Sequence, residues 1–119
     1  MPYLRLLERL RASVPGALSA LLLDANGEVV VEAGPRVERD RHRLIGAYQG
    51  LALSALRQAT LPYDVGAIRC LVFRYTAGSL ILRPLRDGYY LVMSLAPEAS
   101  PGQGIHFAAE IGAELDAEL

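Results

Sequence analysis

The sequence predicts an α+β fold: an α/β/α sandwich whose five-stranded antiparallel sheet has one helix on one face and two on the other. Three observations predict it. The apolar runs 17–23 and 28–33 are joined at Asn26-Gly27, residue types that tolerate positive φ and so make a tight hairpin turn. Three more such runs follow with only Ala77-Gly78 and Asp87-Gly88 between them, connections too short for anything but an antiparallel meander. Segments with helical periodicity stand before, between and after these strand groups, giving the order αββαβββα.

Each element has a local reason. Pro2 suits a first helical turn, and Tyr3, Leu7, Leu10 and Val14 recur on one face of a helix α1 that stops at Pro15-Gly16. Strand β1, Ala17–Leu23, is apolar almost throughout, the mark of a strand covered on both faces. Strand β2, Glu28–Ala33, ends at Gly34-Pro35. The mixed-charge run 35–43 reads as a solvated connection into helix α2, about Asp40 to Leu61, which Pro62 closes. Then come β3, Ala67–Tyr75, β4, Ser79–Leu85, and β5, Tyr89–Leu95.

Strand β5 is again nearly all apolar, whereas β3 carries Arg69 and Arg74, and β4 carries Arg83 and Pro84. Placing β1 beside β5 gives the strand order β2-β1-β5-β4-β3 and leaves β3 as an open edge. Helix α2 easily makes the crossing, since ~20 residues reach ~30 Å and five strands are only ~20 Å across. The last helix, α3, begins with a capping box, Ser100-Pro101-Gly102-Gln103, and carries the apolar stripe Ile105, Ala108, Ala109, Gly112, Leu115 and Leu119.

A chain of 119 residues with 52% hydrophobic content is one domain with ample material for a core. A net charge of −1 offers no electrostatic footprint for a nucleic-acid backbone. No window approaches the ~20 apolar residues of a membrane span, and the first residues read as an amphipathic helix and not as a basic leader with an apolar core. The expectation is a cytoplasmic protein without a membrane or nucleic-acid partner. All 12 basic side chains are arginine, a bias typical of a GC-rich bacterial genome.

Catalytic constellations are hard to assemble. Cys70, the sole cysteine, excludes a disulfide framework and reads as a buried structural thiol. His42 and His106 lack partners at ligand spacing, so neither a metal nor a cofactor is expected. The carboxylates lie on turns or helix surfaces, and no glycine-rich loop with a Lys-Ser/Thr pair follows a strand. The chain reads as a binding protein and not an enzyme.

Helix α2 is the first candidate surface. Leu44, Ile45, Tyr48, Leu51, Ala52, Ala55, Leu56 and Ala59 share one broad side, expected to cover the sheet. Away from it Arg43, Ala47, Gly50, Ser54 and Arg57 form a seam of small residues flanked by Gly46. Two helical glycines cost ~1 kcal/mol each against alanine, and close approach of another backbone would offset that. The seam is therefore the expected dimer contact, although antiparallel pairing about Gly50 would bring Arg43 near the partner copy's Arg57. Strand β3 is the second surface: Arg69, Leu71 and Phe73 along an open edge invite a second chain. Used together, the two surfaces would make a two-fold dimer. Arg39, His42, Gly46 and Leu53 are the residues expected to meet a further protein partner.

The element order, with Pro15-Gly16-Ala17 running into Ala20-Leu21-Leu22-Leu23-Asp24, Asn26-Gly27, Val29-Val30-Val31, Leu80-Ile81-Leu82-Arg83-Pro84-Leu85 and Asp87-Gly88-Tyr89-Tyr90-Leu91, resembles the Roadblock/dynein light-chain family over nearly the whole chain. That resemblance implies a homodimer formed through the third strand and second helix, and a role regulating or scaffolding a small Ras-like GTPase. It implies no donated arginine, so Arg36, Arg39, Arg41 and Arg43 are assigned no catalytic part. Two rivals accompany this reading: a small-molecule sensor whose cavity is lined by Tyr48, Tyr89 and Tyr90, and a structural subunit of a larger hetero-assembly.

Overall fold

The computed structural model describes residues 2–35 and 39–119 and contains the expected elements: α1 (Pro2–Ser13), β1 (Ala17–Leu23), β2 (Val29–Ala33), α2 (Arg39–Thr60), β3 (Leu71–Tyr75), β4 (Gly78–Pro84), β5 (Tyr90–Leu95) and α3 (Pro101–Glu118). A short 3-10 turn occupies Leu61–Tyr63, and Arg86–Gly88 form a tight turn in which Asp87 (φ +58°) and Gly88 (φ +80°) are left-handed. The middle of the mixed-charge connection, 36–38, lies outside the described residues, as does the Arg39 side chain. The sheet is antiparallel throughout, in the order β2-β1-β5-β4-β3.

The first hairpin turns differently from expectation. Among the described residues only Gly27 takes the left-handed conformation in this turn, at φ +80°. Asp24 and Glu28 close a three-residue loop, with Asp24 N–H donating to the Glu28 carbonyl at 2.9 Å. The Asp24 carboxylate accepts the amides of Asn26 and Glu28 at 2.9 and 3.0 Å. This is the hairpin that pairs a type I turn with a glycine bulge.

The β3–β4 loop is the two-residue one, Thr76-Ala77, closed by Tyr75 opposite Gly78. A Cβ on Gly78 would collide with the Leu95 carbonyl oxygen, so glycine is required there by the neighbouring strand. Strand β3 begins four residues later than expected. Continuing its register, Arg69 would oppose Pro84, which has no N–H to donate, and the ladder stops at the Leu71·Leu82 pair.

Alternation sorts the strands' side chains. Ala20, Leu22, Ile81, Leu91, Met93 and Leu95 meet Leu6, Leu7, Leu10 and Val14 near α1, and Ala108, Ile111 and Leu115 of α3. Leu21, Leu23, Leu82, Tyr90 and Val92 point to the other face, where Leu53 of α2 joins them. The α3 stripe is rotated from expectation: Gly104, Ala108, Ile111, Gly112 and Leu115 are buried, while Ile105 is exposed. A Cβ at Gly104 would run into Ile81, so glycine lets α3 lie close to the sheet. Ser100 caps the helix as expected, accepting the Gln103 amide at 3.2 Å.

Candidate functional site

The candidate site is the face of the sheet that carries α2, together with the open β3 edge. Its geometry starts from two glycines. Gly46 is buried over Leu23, with Leu23 Cδ2 at 3.1 Å from where a Cβ would stand. Gly50 sits on the Tyr90 side chain so closely that a Cβ would overlap the phenol oxygen. The Tyr90 hydroxyl in turn donates to the Gly46 carbonyl at 3.2 Å. Burial, and secondarily the Asp24 charge, raise the Tyr90 pKa.

This seat corrects the expected orientation of α2. The small-residue side, with His42, Gly46, Gln49 and Leu53, faces the chain's own sheet. Leu53 is 3% exposed, whereas Leu44, Tyr48 and Leu51, expected in the core, are 59%, 62% and 65% exposed. The reason is packing distance. Gly46 and Gly50 admit the Tyr90 ring beneath the helix, and seating the leucine side there would hold the two apart.

The members of the expected seam therefore part company. Arg43 pairs with Glu32 of β2, and Glu32 raises its pKa by hydrogen bond and charge. Ala47 abuts Gly27 of the first hairpin, and Gly50 is filled by Tyr90. Ser54 and Arg57 are exposed. The partner set fares no better: His42, Gly46 and Leu53 are buried beneath the helix and present nothing outward.

On the edge, Leu71 and Phe73 are half-buried on the α2 face, and Arg69 is exposed just before β3. In a two-residue hairpin the closing pair exchanges both backbone bonds, so Tyr75, Phe73 and Leu71 turn theirs toward β4. Val72 and Arg74 consequently direct N–H and C=O to the open edge. Cys70 lies immediately before β3, half-buried against the α1/α3 core, and burial raises its thiol pKa more than Arg83 lowers it.

Helical geometry at ~100° per residue assigns the rest of α2. Arg43 and Ala47 mark the β2 side. Ile45 lines a cavity with Tyr75 and Thr76 and so marks the β3 side, which Tyr48, Ala52 and Leu56 share. Leu44, Leu51 and Ala55 point directly away from the sheet. The signal for this arrangement is present in the sequence: glycines at positions 46 and 50 coincide with a tyrosine two residues past the Asp87-Gly88 turn.

The three tyrosines of the sensor reading do not meet. Tyr48 faces solvent, Tyr89 packs against the α1/α3 core, and Tyr90 is locked beneath α2. Among the described residues no group of three His, Cys, Asp or Glu could hold a metal ion, and no helix is long and apolar enough to cross a membrane. His42 is buried and His106 lies exposed beside Glu110.

No protein-family model and no curated protein sequence matches the chain. Solved structures do. A Roadblock/LC7 domain from Streptomyces avermitilis superposes with a TM-score of 0.86 at 22% identity, over 97% of this chain and 95% of that one. MglB of Myxococcus xanthus gives 0.86 at 15% identity over 98% and 94%. The gliding protein MglB of Thermus thermophilus gives 0.79 at 17% over 98% and 90%. The chain has the Roadblock/LC7 fold.

Two tests follow from the Gly50–Tyr90 seat. Gly50→Ala removes a ~1 kcal/mol helix penalty, yet it is expected to lower the unfolding free energy in urea by ~1–3 kcal/mol through overpacking, and Tyr90→Phe should recover part of the loss. Stabilisation by Gly50→Ala would contradict the seat. Because the native Tyr90 pKa is raised, its contribution is complete below the ordinary phenol value of ~10. Above that value the unfolded chain ionises first, and stability falls as pH rises toward the native pKa. Urea melts of Tyr90→Phe across this range should show a flatter decline.

Proposed function

We propose that the protein is a non-catalytic homodimeric regulator of a small Ras-like GTPase. The observation that carries the reading is the apolar flank of α2 standing beside an unpaired strand edge. Both edges of the sheet are open, but they are not equivalent. On the β2 side α2 ends in the Arg43–Glu32 pair, a charged rim already satisfied within the chain. On the β3 side it presents Ile45, Tyr48, Ala52 and Leu56, with Leu71 and Phe73 on the strand below.

Antiparallel pairing of two β3 edges continues the sheet across a two-fold axis and lays the β3-facing flanks of the two α2 helices together. The interface set is thus Ile45, Tyr48, Ala52, Leu56, Arg69, Leu71 and Phe73. Arg43 does not approach the partner copy's Arg57 in this arrangement, since it points to β2.

Dimerisation on that flank leaves Leu44, Leu51 and Ala55 of both copies on the outside, exposed apolar residues on either side of the axis. Unpartnered apolar surface of this kind marks a protein contact, and we assign it to the GTPase. The reading draws further support from the resemblance to the Roadblock family and from the MglB fold neighbours. Regulation would act by binding and reshaping, with no arginine supplied to the nucleotide.

The test is to mix the protein with the Ras-like GTPase encoded nearest to it, loaded with GTP or GDP. Retention of one nucleotide form by the native protein is expected. Leu51→Asp should weaken that retention at least about tenfold, as loss of a central anchor does, while leaving the dimer intact. Failure to bind either form would overturn the assignment.

A further inference from the structure

Two features of the β3 side are not absorbed by helix and strand pairing. The first is a cavity of about 750 Å³ between the start of α2 and the β3–β4 turn, with Leu18, Ile45, Tyr75, Leu80 and Leu95 among its walls and Arg41 at its margin. That volume falls within the ~300–1,000 Å³ of sites that hold drug-sized ligands, room for several side chains. The second is the connection that follows α2, where Leu61, Tyr63 and Val65 are 77%, 73% and 68% exposed. Three large apolar side chains on five successive residues lie in water, on a turn that holds Pro62 and, at φ +54°, Asp64.

The proposed two-fold brings these features together. Each α2 starts beside the Tyr75 end of β3, where its Arg41, His42 and Ile45 join Tyr75 and Thr76 around the cavity. Each α2 ends at Thr60, and its following turn leads back to the Leu71 end of β3. Antiparallel pairing about the middle of β3 sets the Leu71 end of one copy beside the Tyr75 end of the other. The turn of each copy then stands at the mouth of the other's cavity.

We infer that the cavity of each protomer receives Leu61, Tyr63 and Val65 of a second copy, so that the two chains clasp one another reciprocally. Charge agrees with this. Asp64 is the single charged residue between Leu61 and Val65, and it approaches a margin that carries Arg41. The inference rests on the dimer proposed above and adds to it: the cavity stands open among the described residues of one chain and is filled by the other. The clasp explains why the residues past α2 are apolar where a solvated connection would be polar.

The experiment uses full-length chains in a Cys70→Ser background. One preparation carries Val65→Cys, a second, differently tagged, carries Ala77→Cys, and the two are mixed and treated with a short bifunctional maleimide. A mixed cross-linked species is expected, with none when Ala77→Cys is replaced by Glu8→Cys on α1. Tyr63→Asp should weaken self-association about tenfold by light scattering.

If the mixed chains are dimers by light scattering yet Val65→Cys and Ala77→Cys do not link, the clasp is overturned and the dimer stands. If the native chain is a monomer, both fall. A cavity still open in the dimer, taking up an apolar dye equally in native protein and Tyr63→Asp, would overturn the clasp in favour of a small-molecule occupant.

Discussion

The contact between Gly50 and the Tyr90 ring decides what this molecule shows to the outside. A helix of 22 residues with apolar side chains over most of its circumference has several ways to lie on a sheet. Burial alone would choose the side with the most leucine, each worth ~1.5–3 kcal/mol when fully covered. The chain takes another side because the phenol standing up from β5 fits only where α2 has no Cβ, and its hydroxyl then holds the Gly46 carbonyl at 3.2 Å. The helix is positioned by a fit of shape together with a buried hydrogen bond, and the leucines are the remainder.

That remainder is costly for an isolated chain. Leu44, Tyr48 and Leu51 in water forfeit the burial energy the other orientation would have collected, and an unpaired strand edge beside them is a liability of its own. Tyr48 and Leu56 stand on the side of α2 toward that edge, Leu44 and Leu51 point directly away from the sheet, and the opposite side of α2 closes on an internal ion pair. An asymmetry of this kind has a simple physical account when a second copy covers the incomplete side. The turn after α2 and the cavity at its start have the same logic: each lacks what the other offers.

The fold is legible in the sequence because its signals are local and agree with one another. Turn residues at Asn26-Gly27 and Asp87-Gly88, the runs of β1 and β5 and the Ser100 cap place the elements, and the contrast between all-apolar and arginine-bearing strands orders the sheet. Misreadings arise where one element answers to another far away in sequence. A helical wheel turns α2 the wrong way because it ranks hydrophobicity and knows nothing of Tyr90, 40 positions past Gly50. Strand β3 is shorter than its own pattern suggests because its end is fixed by Pro84 on the neighbouring strand. The glycine seam does admit a close neighbour, but that neighbour is the chain's own sheet.

The most direct test is amide hydrogen exchange at Val72 and Arg74 in the native protein at micromolar concentration. In a lone chain both amides point from the β3 edge into solvent, and nothing among the described residues slows them. Completion of that edge by a second copy predicts strong protection of both, lost together in Tyr48→Asp, which places a charge in the helix flank above. Exchange at Val72 and Arg74 as fast in native protein as in an unstructured peptide would contradict the account.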